Sequence, residues 1–144
     1  MNDPLNNHTI APAAEAAGRV LLAALFIYEA IVKLRGYDLA VQYAAAYGVP
    51  SILLPLAIAV ELGGGTLIVV GLLTRLAAFM LAGFCLLTAV IFHTKLSDTN
   101  QVLHFGKDIA LAGAFLFVVG RGPGRFSIDA WLAHKREPAL RQPV

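Results

Sequence analysis

Charge is scarce in this sequence: of 144 residues, 14% are Asp, Glu, Lys or Arg, against about 25% in an ordinary soluble domain. With 58% hydrophobic residues and a mean hydropathy of +0.73, too little polar surface is left to coat a water-soluble globule of 15.3 kDa, whose surface is large relative to its volume. The composition predicts a bilayer as solvent. Cysteine is rarer still. Cys85 stands alone, which excludes an intrachain disulfide, a C-x-x-C thiol relay, a zinc cluster and an iron–sulfur site built from this chain's thiols. An excess of one charge is missing too: 11 Lys and Arg against 9 Asp and Glu give +2. The pI near 8.9 therefore reflects a few tail arginines, and a nucleic-acid face is disfavoured. Residues 1–15 hold no Lys or Arg, and no small-x-small cleavage site follows a short apolar core, so the first apolar segment is expected to stay in the chain. Internal repeats, low-complexity tracts and a second domain are absent.

What the sequence does have is apolar runs long enough to cross a membrane. A hydrocarbon core of about 30 Å needs roughly 20 mostly apolar residues per helix, and four such runs fall at about 16–34, 51–73, 75–94 and 102–120. The first carries Arg19, Glu29 and Lys33, and the second has Glu61 as its sole charge. The third has no charge from Leu76 to Phe92, and the fourth opens with His104, Lys107 and Asp108 before the apolar run Ile109 to Val119. That run is short for a span, so the fourth helix is extended back through Lys107, with its polar groups facing protein or the interface. The predicted fold class is an all-α membrane four-helix bundle over residues 16–120, with an N-terminal tail over 1–15 and a basic, interfacial helical tail over 121–144.

Local signals punctuate these helices. Ser51 is a candidate cap and Pro55 a first-turn residue for the second span, and Gly71 to Thr74 makes a connection short enough to require antiparallel neighbours. Gly120, Gly122, Pro123 and Gly124 end the fourth helix; Ser127 caps a tail helix with Asp129 in its first turn and Trp131 as interfacial anchor. Between the first two spans, Tyr43 and Tyr47 share one face of an expected interfacial helix that also contains Tyr37. Seven basic residues (Arg19, Arg75, Arg121, Arg125, Lys135, Arg136, Arg141) group on the side of the termini, against four (Lys33, Arg35, Lys95, Lys107) on the other. The positive-inside rule thus predicts cytoplasmic termini.

Ionisable groups inside spans are costly, about 2.5 to 3.5 kcal/mol for a central charge on the lowest scales, so each needs a partner or a function. Glu61 lies near the midplane of the second span, about 15 Å from its start at 1.5 Å per residue. Its face continues through Gly64, Gly65 and Ile68, small residues that admit a close neighbour and turn Glu61 inward. Buried without a cation it would be neutral, whereas Lys33 or Lys107 nearby would hold it ionised. Glu29 and Lys33 have the i, i+4 spacing of an intrahelical ion pair. His93, His104, Lys107 and Asp108 converge on the same end of the bundle as Lys33. Histidine, aspartate and Glu29 are ligand types for a mixed nitrogen and oxygen metal site, but no H-E-x-x-H or Glu-x-x-His motif accompanies them, and no metal is expected. Gly63 to Gly65 lack the Lys-Ser/Thr of a phosphate loop and serve packing. Cys85, amid Leu and Phe, reads as an apolar filler.

Several short motifs, in this order and spacing, resemble the DoxX family. They are the first-helix ending at Lys33, Glu61-Leu-Gly-Gly-Gly followed by Gly71-Leu-Leu-Thr-Arg75, and Phe92-His93. Phe105-Gly-Lys107-Asp108 and Gly122-Pro-Gly-Arg-Phe-Ser-Ile-Asp129 complete them, so the resemblance runs from about Gly18 to Asp129. It implies a small four-helix integral membrane protein of the bacterial cytoplasmic membrane. Its relatives are linked to quinone-coupled sulfur oxidation and to membrane complexes that handle oxidative stress. The family's recurring polar positions fall on Lys33, Glu61, His93 and Lys107. Two departures each add an acid, Glu29 ahead of Lys33 and Asp108 after Lys107, which pair the lysines differently from many relatives.

The function expected from residues and resemblance together is a membrane subunit of a quinone-linked redox system. Glu61 would handle protons in a polar pocket with Lys33, His93 and Lys107, with Glu29, His104 and Asp108 nearby. The electrons would come from a redox partner protein. Alternatives from other classes are a small transporter or proton pathway, which four helices would build only as a homo-oligomer, and a membrane scaffold with structural charges.

Overall fold

The structure, a computed structural model, describes residues 10–140, with side chains as far as Arg136. The outer parts of both expected tails, Arg141 included, lie outside the described residues. Six α-helices follow one another: α1 (Ile10–Arg35), α2 (Tyr37–Ala46), α3 (Leu54–Val70), α4 (Thr74–Phe92), α5 (Thr99–Arg121) and α6 (Ile128–Leu140), with a 3₁₀ turn, Ser51–Leu53, ahead of α3. Four segments are long and apolar enough to cross a membrane, Ile10–Arg35, Ser51–Val70, Thr74–Phe92 and Thr99–Arg121, in agreement with the all-helical reading. No strand occurs among the described residues.

The helix ends differ from the expected ones for identifiable reasons. α1 is described from Ile10 onward and so takes in residues 10–15 of the expected tail. Pro12 sits in its first turn, where a missing N–H costs nothing, and Glu15 gains a tertiary partner in Arg121 at 2.8 Å. Ser51 does not cap α3; it opens the 3₁₀ turn behind Pro50, and Pro55 occupies the first turn of α3. α3 ends at Val70 because Gly71, at φ 68°, is left-handed and terminates the helix without a Cβ penalty. The carboxylate of Asp98 accepts from the Asn100 N–H at 2.9 Å and starts α5 three residues ahead of the expected 102.

Packing follows the small residues. α1 lies against α3, α3 against α4 and α4 against α5, and the Phe26 and Phe115 rings, edge to face at 5.2 Å, join α1 to α5. Phe115, Ile68 and Leu81 are fully buried among Ala23, Ala77, Ala78, Ala82 and Ala112, which let the helix backbones approach. Gly64 abuts Leu81 and Gly65 abuts Ile27 and the Ala23 carbonyl, whereas Gly63 faces open space. Large apolar side chains point outward, Leu21 at 74% and Phe117 at 73% exposure. Such exposure suits lipid and not water.

Both ends of the bundle are tied across. At one, α2 is helical as the tyrosine spacing predicts, and Tyr43 and Tyr47 pack on Phe92 with ring centroids 5.5 and 5.1 Å away. At the other, Ser127 caps α6 by accepting from the Ala130 N–H at 3.1 Å. Asp129 does more than sit in the first turn of α6. Its carboxylate accepts from the N–H of Leu73, the N–H of Thr74 and the Thr74 hydroxyl, each at 2.9 Å. Its own N–H donates to the Gly71 carbonyl. It thereby caps α4 from a distant segment and holds Leu73 at φ 48°. Arg19, 4% exposed, lies beneath this turn and donates to the Phe126 carbonyl, with Glu15 and Asp129 as its nearby charges.

Candidate functional site

Besides buried Arg19 and the Glu15–Arg121 pair, the spans hold two groups of ionisable residues. The first joins α1 to α3. Glu61 is 3% exposed on the face it shares with Ile58, Gly64, Gly65 and Ile68, as the small-residue pattern predicts. Lys33 Nζ donates to Glu61 Oε1 at 2.8 Å and to Glu29 Oε2 at 3.3 Å. The expected intrahelical pair therefore exists, and it is one arm of a three-residue bridge. Lys33 and Glu29 keep side-chain exposures of 25% and 48% against 4% for Glu61, so the bridge runs from the surface of α1 into the bundle. Glu61 Oε2 is buried with no hydrogen-bond partner among the described residues. A buried carboxyl oxygen left without a donor is uncommon and marks a place for a ligand or water.

An open apolar groove of about 740 Å³ runs beside this bridge, lined by Leu34, Tyr37, Pro55, Ile58, Ala59, Leu62, Gly63, Thr66 and Leu67. Lys33 and Glu61 do not line it; their neighbours Leu34, Ile58 and Leu62 do. Gly63 thus has a surface role that its neighbours Gly64 and Gly65 lack.

The second group joins α4 to α5. Nδ1 of His93, just past the end of α4, lies 2.8 Å from Gln101 Oε1, and its Nε2 lies 3.9 Å from Asp108 Oδ2. Its ring stacks on His104 with centroids 5.1 Å apart. Asp108 Oδ2 is also 3.1 Å from the Thr88 hydroxyl, which is itself within reach of the Cys85 and Phe84 carbonyls at 2.9 and 3.1 Å. Cys85, 2% exposed, is the filler the sequence predicts, and it lies within electrostatic range of both Asp108 and Glu61.

Two expected placements differ. Lys107 is exposed and makes no ion pair or hydrogen bond with a described residue, because the α5 face that turns to α4 carries Asp108 and not Lys107. The acid added at Asp108 accordingly serves His93, while Glu29 serves Lys33. Among the described residues the Lys33–Glu61 and His93–Asp108 pairs share no hydrogen bond or ion pair, and neither meets Lys107. Glu29 pairs with Lys33, and among the described residues no group of three or more His, Cys, Asp and Glu has the geometry to hold a metal.

Three polar residues, two of the second group and one at the opposite end, escape sequence reasoning. Thr88 and Gln101 carry no charge, so hydropathy passes over them. Arg19 is read there as a topology-setting charge, though its burial beneath Gly71 follows from contact between the two glycine-containing motifs, Gly71 to Arg75 and Gly122 to Asp129.

Comparison with known proteins fits this architecture. The DoxX family model matches residues 14–94, which takes in most of α1, all of α2 to α4 and both partners of the Lys33–Glu61 pair. The chain is 44% identical over 117 residues to "Inner membrane protein YqjF" of Escherichia coli (strain K12), covering 81% of this chain and 90% of that protein. It is 36% identical over 118 residues to "Inner membrane protein YphA" of the same organism, covering 77% and 84%. No solved structure matches. With four spans, a matching family model and two relatives covered over most of their length, the chain belongs to the DoxX family, as a multi-pass integral protein of the bacterial inner membrane.

Proposed function

We propose that this protein is a membrane subunit of a quinone-linked redox system and that the Lys33–Glu61 pair receives the polar head of a quinone-like small molecule. The observation that carries this reading is the unpartnered Glu61 Oε2, buried next to a lysine that remains one-quarter exposed, with an apolar groove alongside. Acceptor, donor and apolar wall together match a lipophile with carbonyl oxygens at one end.

A quinone held here would supply the redox chemistry, with its electrons from a partner protein. The chain's residues do the rest. Lys33 Nζ donates to a carbonyl oxygen, Glu61 gives or takes the proton at Oε2, and Glu29 keeps the lysine in place. Leu34, Ile58, Leu62 and Leu67 accommodate the apolar part of the molecule and exclude water from the pair. His93 and Lys107 have no part in this head site.

Equilibrium binding of a short-chain quinone to the purified full-length protein tests the reading. Wild type binds saturably, and Glu61→Gln weakens binding at least about tenfold, the loss of roughly 1.4 kcal/mol. Binding that is absent, or identical in the variant, overturns it.

The two ionisable clusters within the spans favour one further reading, an oligomeric proton or solute pathway. Flux in proteoliposomes under an imposed pH gradient distinguishes it: transport by the protein without any redox partner supports the pathway, and none removes it.

A further inference from the structure

We propose that the end of the bundle opposite Lys33 and His93 binds the phosphate of an anionic phospholipid headgroup, held by Arg75 and Arg121 beside Gly122, with Arg19 as a buried positive charge beneath. The site is separate from the Lys33–Glu61 pair and requires no quinone.

Here α3 stops at Val70, α4 starts at Thr74 and α5 stops at Arg121. Three guanidiniums, those of Arg19, Arg75 and Arg121, gather around two carboxylates, those of Glu15 and Asp129. Both acids are already engaged. Glu15 Oε1 takes the Nε and Nη2 groups of Arg121, each at 2.8 Å, and its Oε2 packs against Gly124. Asp129 uses both oxygens on Leu73 and Thr74. Arg19 is left with one hydrogen bond, to the Phe126 carbonyl, while its Nε and Nη1 are buried with no partner among the described residues. A guanidinium 4% exposed and without a carboxylate of its own is costly, and an anion seated on the surface above it offsets that cost.

Arg75 provides the open side. It is exposed, makes no hydrogen bond or ion pair with a described residue, and lies against Gly122, where a Cβ would stand 3.1 Å from its Nη2 and 3.3 Å from its Nε. Gly122, at φ 88°, thus lets the guanidinium rest on the backbone next to Arg121, whose side chain is 61% exposed. Guanidinium forks match the oxygens of a phosphate. A phospholipid is the source because this end has the character of headgroup depth. Phe126 and Trp131 are each 56% exposed on the segment that follows, as aromatics at a membrane interface are, and Lys135 Nζ lies 3.8 Å over the Trp131 ring. Net positive charge around the phosphate repels the ammonium of a zwitterionic headgroup, which selects a lipid whose headgroup is anionic as a whole.

Native mass spectrometry of the full-length protein in mild detergent tests the site, with phosphatidylglycerol, phosphatidylcholine of the same acyl chains, and inorganic phosphate as probes. Wild type retains phosphatidylglycerol in preference to phosphatidylcholine by at least about fivefold, the effect of one cation near an anionic lipid, and equimolar inorganic phosphate leaves that preference in place. Arg75→Gln removes the preference, whereas Lys135→Gln, which deletes the same charge from α6, keeps it. Equal retention of the two lipids by the wild type overturns the site without recourse to any variant. Equal losses in the two variants mean that overall charge attracts the lipid, and overturn it too. Displacement of the lipid by inorganic phosphate overturns the assignment to a headgroup.

Discussion

Lys33 and Glu61, 28 residues apart in sequence, meet at 2.8 Å across the α1–α3 interface, and only the carboxylate is fully enclosed. Removing the lysine alone strands a buried charge. Lys33→Met is therefore expected to cost about 3 to 5 kcal/mol, while Lys33→Met combined with Glu61→Leu recovers most of the loss. Unfolding in denaturing detergent, analysed as a double-mutant cycle, checks this. Additive losses would mean that the pair is not coupled.

The adjacent glycines of α3 give a sharper packing test. A Cβ at Gly65 would stand 2.9 Å from Ile27 Cγ1 and 3.3 Å from the Ala23 carbonyl oxygen, whereas one at Gly63 meets nothing within 4 Å. Gly65→Ala is expected to destabilise by about 1 to 3 kcal/mol. Gly63→Ala stays within about 0.5 kcal/mol of wild type or gains slightly from helix propensity. Equal effects in the same unfolding assay would contradict the interface described for α1 and α3.

Asp129 ties α6 to the start of α4, and its titration carries the consequence. Burial raises its pKa, but the hydrogen bonds from Thr74 and Leu73 and the charge of Arg19 outweigh this and hold the carboxyl below its ordinary value. A depressed folded pKa contributes stability that is present above the unfolded value of about 3.9 and is lost as pH falls through the folded one. Asp129→Ala should cost about 0.5 to 2 kcal/mol near neutral pH, the range for a helix cap. The difference from wild type should shrink below about pH 4. A difference that does not change with pH would show that the carboxylate is not the source.

Tyr43 supplies a spectroscopic handle on α2. Burial, reinforced by neighbouring Tyr47, pushes its phenol up to about 12. In an ultraviolet titration of the intact protein, Tyr43→Phe should remove a step near pH 12. Loss of an earlier step instead would mean that α2 does not pack its rings on Phe92.

The spans, the short α3–α4 turn, the α2 helix, the α6 cap and the inward face of Glu61 were legible in the sequence because each rests on local spacing. Hydropathy, a glycine next to a span, or tyrosines at i, i+4 are enough. What stayed hidden depends on contacts between distant segments. Asp129 caps α4 across 55 residues, and nothing in its own helix signals that. Lys107 and Asp108 are adjacent in sequence, yet a helix turns consecutive residues about 100° apart; only the packing of α5 on α4 decides which of them faces His93. The same holds for Ser51, whose capping role was displaced when the chain entered α3 through a 3₁₀ turn behind Pro50.

Mass spectrometry of lipid extracts shows whether Glu61 and Lys33 hold a quinone-like head. The protein is purified from native membranes in mild detergent as wild type and as Glu61→Gln, and co-purifying quinone is quantified against phospholipid. Quinone is expected in the wild-type extract and is expected to be lost in the variant. Quinone in neither extract, or in equal amounts in both, would contradict it.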